Sequence, residues 1–194
     1  MGSVIVITSG KGGTGKTSLT GGVGASLALL GKQVLCLDGD VGLRNLDITL
    51  GMTDAALMDF SDVMAGRCDL SRAAVPHPTV SGLHLLTAPL TLPGDFPGEA
   101  ALLQQAREAY DYVLIDSPAG LGPGFRLAVC GADRAIVVAV SDPSSLRDAQ
   151  RVVTQLSQLE TIHLVVNRVR PRLLRRQNTT IDDAMDTAGL PLLG

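Results

Sequence analysis

The chain has 194 residues, of which 45% are hydrophobic, 18% are charged and 3% are aromatic, and its net charge is −3. This length predicts one domain, and the hydrophobic content argues against a disordered chain. The weak negative charge and the scarcity of aromatic residues argue against binding to nucleic acid, and no apolar run is long enough to span a membrane. The three widely spaced cysteines, and an N-terminus without the features of a secretory signal, predict a cytoplasmic protein.

Strand and helix patterns alternate from the N-terminus. A β-branched run predicts a buried strand at 3–8. A glycine-rich segment follows it, and a helix is predicted at 16–30. A second buried strand is predicted at 33–37. The predicted helix contains glycine at 21, 22 and 24, and each of these costs about 1 kcal/mol relative to alanine inside a helix. Either a neighbouring element packs very close to these glycines or the helix is weak.

The same alternation continues toward the C-terminus. In chain order, the patterns predict a helix at 57–65, a strand at 83–86, a loop at 89–98, a helix at 99–109, strands at 112–115 and 135–140, a helix at 144–159, a strand at 162–166 and a helix at 181–188. Strands joined by helices form parallel sheets through right-handed crossovers. The sequence therefore predicts a single α/β domain over 1–194, in which helices flank a doubly wound, mostly parallel sheet.

Residues 10–17 match the phosphate-loop pattern, in which two glycines enclose four residues and Lys16 and Thr17 follow. A predicted strand precedes this loop and a predicted helix follows it, as the pattern requires. Glycines allow backbone N–H groups to converge on phosphate oxygens, and the helix N-terminus adds partial positive charge. Lys16 is expected to reach the β- and γ-phosphates of a nucleotide, and the Thr17 hydroxyl to bind Mg²⁺. The alternative is a glycine-rich turn that matches the pattern by chance.

Carboxylates follow two of the predicted strands. Asp38 and Asp40 come directly after the strand at 33–37, and Asp116 comes directly after the strand at 112–115. Ligands of open α/β sheets bind outside the carboxyl ends of the strands, so these side chains are expected beside the phosphate loop. Because carboxylates and hydroxyls are usual ligands of Mg²⁺, we expect Asp38 and Asp116 to contact the metal ion, Asp116 through water. Asp40 is expected to position an attacking water; a turn or cap role is the alternative for each carboxylate, above all for Asp38.

Several segments resemble the ParA/MinD family of ATPases. Lys11-Gly-Gly-Thr-Gly-Lys-Thr17 is similar to the family's variant phosphate loop, whose signature is an additional lysine at the position of Lys11. Asp38-Gly-Asp-Val-Gly-Leu-Arg-Asn-Leu-Asp47 is similar to the first switch loop of the branch that positions the division septum; partition and flagellar-number ATPases usually differ at its end. Tyr112-Val-Leu-Ile-Asp-Ser-Pro-Ala-Gly120, Ser144-Ser-Leu-Arg-Asp148 and Leu164-Val-Val-Asn-Arg168 also resemble the family, and the resemblance covers essentially the whole chain.

The resemblance implies a P-loop NTPase fold of the SIMIBI class and a slow ATPase that forms a homodimer around two ATP molecules with Mg²⁺. Lys11 is then expected to reach the partner's nucleotide and to act with Lys16 and Asp40 in catalysis. The resemblance also implies binding to the inner face of the cell membrane, recruitment of a division inhibitor, stimulation by a partner protein, and placement of the division septum. The expected nucleotide-binding residues are Gly10, Lys11, Gly12, Gly13, Thr14, Gly15, Lys16, Thr17, Ser18, Asn167, which is expected to contact adenine, and Arg168.

The chain departs from the family pattern at Thr14, where valine is usual, and at Ser18, where threonine is usual. It ends at Gly194, where the family continues with further elements and an amphipathic membrane anchor. We therefore expect a domain that is truncated at its C-terminus and lacks that anchor.

Other interpretations remain open from the sequence. Lys11 is alternatively an exposed solubilising residue. A metabolic phosphoryl-transfer or redox enzyme is possible on the same scaffold, although an iron–sulfur cluster requires paired cysteines. A nucleotide-binding module without useful hydrolysis is the third function. A basic cluster is either a solvated loop or a contact for a partner or anionic lipid, and nucleic acid is disfavoured because no aromatic residues interleave. The cluster consists of Arg168, Arg170, Arg172, Arg175 and Arg176.

Overall fold

The computed structural model describes residues 1–91, 98–177 and 179–194, so most of the loop predicted at 89–98 lies outside the described residues. In the described part, the strands are β1 (Ser3–Thr8), β2 (Val34–Asp38), β3 (Val75–Pro76), β4 (Leu83–Leu86), β5 (Tyr112–Asp116), β6 (Arg134–Val140) and β7 (Thr161–Asn167). They form one sheet in the order β3-β4-β2-β5-β1-β6-β7. All neighbouring pairs are parallel except β3 with β4. The carboxyl ends of the parallel strands therefore meet at one edge of the sheet.

Helices cover both faces of this sheet. In the described part they are α1 (Lys16–Leu29), α2 (Leu46–Thr49), α3 (Phe60–Met64), α4 (Leu70–Ala73), α5 (Glu99–Ala109), α6 (Pro123–Cys130), α7 (Pro143–Val153), α8 (Pro171–Gln177) and α9 (Ile181–Ala188). Alternate residues of β1 enter two separate cores: Val4 and Val6 pack with α5, α6 and α7, whereas Ile7 packs with α1. This two-sided burial explains why β1 is a continuous run of apolar β-branched residues.

The predicted fold is confirmed, and the errors concern helix boundaries and short elements. The helix predicted at 144–159 ends at Val153, where the Thr154 hydroxyl donates to the Arg151 carbonyl and competes with the helical pattern. The helix predicted at 57–65 begins only at Phe60, because Asp59 provides the N-cap. Sequence reasoning missed β3 and the helices α2, α4, α6 and α8, none of which is longer than 8 residues.

The glycines of α1 are explained by close packing at two of three positions. A Cβ atom on Gly24 would overlap the Cys36 sulfur on β2, and one on Gly21 would lie 3.0 Å from the Thr49 side chain. A Cβ atom on Gly22 would have no neighbouring atom within 4 Å, so packing places no such constraint on that position. The helix therefore lies against the sheet at a distance that excludes a side chain at Gly24, and it packs tightly against α2 at Gly21.

A small apolar cavity lies between α3, α5 and α6, and one carboxyl group faces it. Its lining includes Leu37, Phe60 and Leu127 together with Glu99, the first residue of α5. Glu99 Oε1 is buried and has no hydrogen-bond partner among the described residues. Burial raises the pKa of Glu99 from 4.5 to about 7, because the charged form loses hydration.

Replacing Glu99 with glutamine is expected to stabilise the fold near neutral pH. Because the folded-state pKa is raised, the stability contributed by Glu99 is fully present below pH 4.5 and is lost as pH rises through about 7. After allowance for partial exposure, Glu99→Gln should raise the free energy of unfolding by roughly 1 kcal/mol near pH 8 and by nothing measurable near pH 4. Urea unfolding at both pH values measures this; the exposed Glu108→Gln is the matched control on the same helix. A gain of equal size at both pH values contradicts the assignment.

Candidate functional site

The phosphate loop (10–17) connects β1 to α1 at the carboxyl edge of the sheet. Gly15 has a φ of 102°, and a Cβ atom there would overlap the amide nitrogen of Asn167. A Cβ atom on Gly10 would overlap the backbone of Asp148 in α7. The loop is thus held between α7 and the end of β7, and only glycine fits at both contacts.

Lys16 lies underneath this loop rather than in solvent. Its residue surface is 8% exposed, and its ammonium group donates to the Ser9 hydroxyl over 3.1 Å. Burial lowers the pKa of Lys16, and the negative charges of Asp116 and Asp40 oppose that shift. A buried ammonium group beside a helix N-terminus and converging backbone N–H groups is suited to binding the phosphates of a nucleotide.

Asp38 and Asp116 lie side by side as paired residues at the ends of β2 and β5. Both are buried, and burial raises the pKa of Asp38 to about 6 and that of Asp116 to about 7. Both oxygens of Asp38 accept backbone N–H groups, from Asp40 over 2.9 Å and from Leu46 over 3.1 Å. In this structure Asp38 therefore has the contacts of a turn residue. A contact of Asp38 with Mg²⁺ stays a prediction.

Asp116 differs from Asp38 because one of its oxygens is unpaired. Asp116 Oδ1 is buried without a hydrogen-bond partner among the described residues, and the Thr17 hydroxyl lies close enough to lower the pKa of this carboxyl against the effect of burial. A buried carboxylate oxygen is costly unless a donor or a cation pairs with it. A hydroxyl and a carboxylate at this position fit a Mg²⁺ ion that keeps several waters and binds phosphate oxygens. The described residues contain no group of three or more His, Cys, Asp or Glu side chains that could enclose a metal ion by themselves.

Asp40 lies in the loop that follows β2, half-buried and close to Lys16. Burial raises its pKa, and the charge of Lys16 opposes this shift. Its backbone N–H is fixed by Asp38, while its carboxylate accepts no hydrogen bond among the described residues. The Asp40 side chain is therefore available to a water molecule or a ligand.

Lys11 makes a specific contact instead of extending into solvent. Its ammonium group lies 3.1 Å from Asp142 Oδ2 and 3.1 Å from the Ser144 hydroxyl. Asp142 also caps α7 by accepting the Ser145 N–H over 3.0 Å. Sequence reasoning missed Asp142 as a partner of Lys11; the Asp-Pro start of α7 signals an N-cap but gives no sign of this contact.

Asn167 connects the end of β7 to the phosphate loop. Its amide nitrogen donates to the Thr14 carbonyl over 2.8 Å, and its amide oxygen accepts the Arg168 N–H over 2.8 Å. The Thr14 hydroxyl is buried without a partner among the described residues. Ser18 and the Arg168 side chain are exposed, and their contact with a nucleotide stays a prediction. Contact of Asn167 with adenine stays a prediction.

The basic cluster follows Asn167 and extends along α8. All five arginines are exposed, and within the described residues none of their guanidinium groups forms an ion pair. Three of them, Arg172, Arg175 and Arg176, lie on α8 and not in a loop, and a contact with a partner or an anionic lipid stays a prediction.

Comparison with known proteins decides the family. A family profile described as "AAA domain" matches residues 2–170. The septum site-determining protein MinD of Bacillus subtilis is 41% identical over 203 residues, which cover 100% of this chain and 75% of that protein. MinD of Thermotoga maritima is 37% identical over 204 residues, which cover 100% of this chain and 74% of that protein. The chain belongs to the MinD family. The family predicted from the sequence is thereby confirmed.

Solved MinD structures share this fold. The MinC:MinD cell division protein complex of Aquifex aeolicus aligns with a TM-score of 0.88 at 37% identity, over 99% of this chain and 80% of that chain. Pyrococcus horikoshii MinD, complexed with Mg-ADP, aligns with a TM-score of 0.81 at 28% identity, over 100% of this chain and 80% of that chain. The fold is therefore that of the MinD and ParA phosphate-loop ATPases. Within the described ranges, no helix has the length and apolar character needed to cross a membrane.

Proposed function

We propose that this protein is a Mg²⁺-dependent ATPase that acts as an ATP-driven dimerisation switch in placement of the bacterial division septum. The observation that carries the proposal is the convergence of Lys16, Asp40 and Asp116 behind the phosphate loop, in a chain of the MinD family. A buried cation, and a carboxylate with one buried oxygen that has no partner among the described residues, suit a ligand that carries both signs of charge, and Mg·ATP has that chemistry.

Each residue of the site has a separate role in binding Mg·ATP or in its hydrolysis. The N–H groups of the phosphate loop and the Lys16 ammonium group bind the phosphates and oppose the negative charge that develops on the transferred group. Thr17, Asp116 and Asp38 would hold Mg²⁺, which would supply charge neutralisation when bound. The Asp40 carboxylate accepts a hydrogen bond from the attacking water and orients it. Asn167 and Arg168 contact the adenine side of the nucleotide.

Lys11 is the proposed link between two subunits. In the single chain it is paired with Asp142, and both side chains are more than one-third exposed. A surface ion pair of this kind contributes little stability, so the phosphates of a nucleotide can replace Asp142 as the partner of Lys11 at a low cost in free energy. We assign Lys11 the role of contacting the nucleotide of a second copy of the chain.

The partners follow from the relatives. The Aquifex structure is a complex of MinD with MinC, so a division inhibitor is the proposed partner, together with a protein that stimulates hydrolysis. Peripheral association with the inner face of the cell membrane belongs to the same proposal, and no role in nucleic-acid binding is proposed.

Light scattering tests the dimerisation switch. The wild-type chain is expected to double its molar mass with Mg·ATP and to stay monomeric with Mg·ADP. Lys11→Ala should stay monomeric with both nucleotides, whereas Lys32→Ala, which removes an exposed lysine after α1, should behave like the wild type. A monomeric wild type under all conditions contradicts the switch, even if it hydrolyses ATP.

A further inference from the structure

Arg44 lies in the loop that carries Asp40 and has an unusual backbone conformation. Its φ is 47°, in the left-handed region that favours glycine. Its N–H donates to the Asp40 carbonyl over 3.2 Å, so Asp40 and Arg44 close one turn of the loop. A strained backbone of this kind persists only when surrounding contacts hold it.

The guanidinium group of Arg44 makes those contacts. Its Nε donates to the Ala88 carbonyl, and its Nη2 lies 3.5 Å from Asp59 Oδ2. The Arg44 and Asp59 side chains are 29% and 19% exposed, so the pair is shielded from solvent more than a usual surface ion pair. The planar guanidinium group is suited to donating in two directions at once, which a lysine ammonium on its flexible stem does less well.

Both acceptors of Arg44 belong to one firmly connected unit. Asp59 divides its two oxygens: Oδ1 accepts the Ser61 N–H over 2.8 Å and caps α3, which leaves Oδ2 for Arg44. The Phe60 N–H donates to the Thr87 carbonyl over 3.0 Å, which joins the start of α3 to the chain segment that contains Ala88. Arg44 thus connects its loop to β4 and α3 together.

The loop between Asp38 and Leu46 has other anchors, among them the Gly39 N–H, which donates to the Asp116 carbonyl over 2.9 Å, and the Gly42 N–H, which donates to the Pro89 carbonyl over 3.3 Å. Asp38 accepts the N–H groups of Asp40 and Leu46 and fixes the loop from the β2 side. The contact of Arg44 with Asp59 and Ala88 fixes it from the α3 side. Asp40 lies between the anchors on the β2 side and those of Arg44 and Gly42, and its own carboxylate accepts no hydrogen bond among the described residues. Its distance from Lys16 therefore depends on the anchors.

We propose that Arg44 is a positioning residue for Asp40, which it acts on by tying the loop to Asp59 and Ala88. This inference rests on the proposed function, because it concerns the rate at which Asp40 acts on bound ATP. A small displacement of a reacting group lowers the rate without preventing the nucleotide from binding, since the phosphate loop and Lys16 do not depend on Arg44.

The test uses variants of the full chain that are designed to fold. Arg44→Gly removes the guanidinium group and also relieves the left-handed strain. Asp59→Asn removes the charge that faces Arg44 but keeps a good N-cap for α3. Arg44→Lys keeps the charge without the planar donor group. The matched control is Arg67→Ala, which removes the exposed ion pair of Arg67 with Asp62 at α3 and touches nothing in the loop.

Steady-state hydrolysis of Mg·ATP and hydrogen exchange of the loop amides are measured for each variant. Arg44→Gly and Asp59→Asn are expected to lower kcat about tenfold or more and to leave KM within about threefold, with faster exchange at Leu43 and Leu46. Arg44→Lys should lie between these variants and the wild type. Arg67→Ala should match the wild type in every readout.

The outcomes separate this proposal from the proposed function. If the wild type hydrolyses ATP and the kcat of Arg44→Gly and Asp59→Asn is unchanged, the role of Arg44 is overturned and the proposed function is not. An equal loss in Arg67→Ala also overturns it, because the effect then arises from general weakening of α3. A wild-type protein that binds Mg·ATP but does not hydrolyse it contradicts the proposed function instead.

Discussion

Replacement of Lys16 with alanine is expected to reduce Mg·ATP hydrolysis by at least about 100-fold and to weaken nucleotide binding. The Lys16 ammonium group is the buried cation at the phosphate loop, and it lies near two carboxylates, Asp40 and Asp116. Its removal takes one direct counter-charge away from the phosphates and increases their repulsion from those carboxylates. Loss of one preorganised group that stabilises developing charge costs about 10²- to 10³-fold in rate.

Two comparisons make this result interpretable. Lys16→Met keeps the aliphatic part of the side chain and removes only the charge, so it separates electrostatics from packing. Lys32→Ala is the matched lysine control, because Lys32 is exposed and remote in sequence from the phosphate loop. Calorimetric titration with Mg·ATP and a steady-state assay measure binding and turnover separately. Hydrolysis by Lys16→Ala within about threefold of the wild type contradicts the assigned site.

The sequence predicts the phosphate loop and the strands well because their signals are local. The phosphate loop is eight consecutive residues, and buried parallel strands are continuous aliphatic runs that do not depend on distant contacts. Short helices such as α2 and α8 lack enough turns to show a hydrophobic period, so their existence depends on tertiary packing. The fold class was therefore predictable, whereas the existence of these short helices was not.

Several contacts of the site are decided by the folded chain and not by local sequence. Lys11 and Asp142 are 131 positions apart, and no pattern within either segment indicates that they meet. The two N–H groups that Asp38 accepts lie 2 and 8 positions further along the chain, and only the folded loop decides that both reach it. The sequence thus indicates which residue types bear the chemistry, and the fold decides which of them are already engaged by the backbone.

Replacement of Asp40 with asparagine is expected to lower kcat about 100-fold and to leave Mg·ATP binding within about threefold of the wild type. Asparagine has nearly the same shape but is a weaker acceptor for the attacking water, so the loss falls on the chemical step. Because the Asp40 carboxylate accepts no hydrogen bond among the described residues, the substitution should not lower the free energy of unfolding. Asp54→Asn is the matched control, since Asp54 is exposed and its φ of 59° suits asparagine.

The pH dependence of hydrolysis provides a second readout for Asp40. Burial raises its pKa above the ordinary value of 3.8, so we expect Asp40 to contribute to a fall of kcat on acidification, together with Asp38 and Asp116, whose pKa values burial raises to about 6 and about 7. Asp54→Asn should keep this profile. An acid limb that persists unchanged in Asp40→Asn assigns it to Asp38 or Asp116, and an Asp40→Asn variant with the kcat of the wild type contradicts the role of Asp40 as the acceptor.

A double-mutant cycle joins Asp40 to Arg44. If Arg44 acts through Asp40, Arg44→Gly should lower kcat in the wild-type background and have almost no effect in the Asp40→Asn background. Effects of residues that act as a unit are non-additive, whereas independent effects add within about 0.5 kcal/mol. Full additivity in this cycle contradicts the connection between the two residues, even if each single variant is slow. Such a result would leave Asp40 as the water-orienting group and assign the effect of Arg44 to another part of the loop.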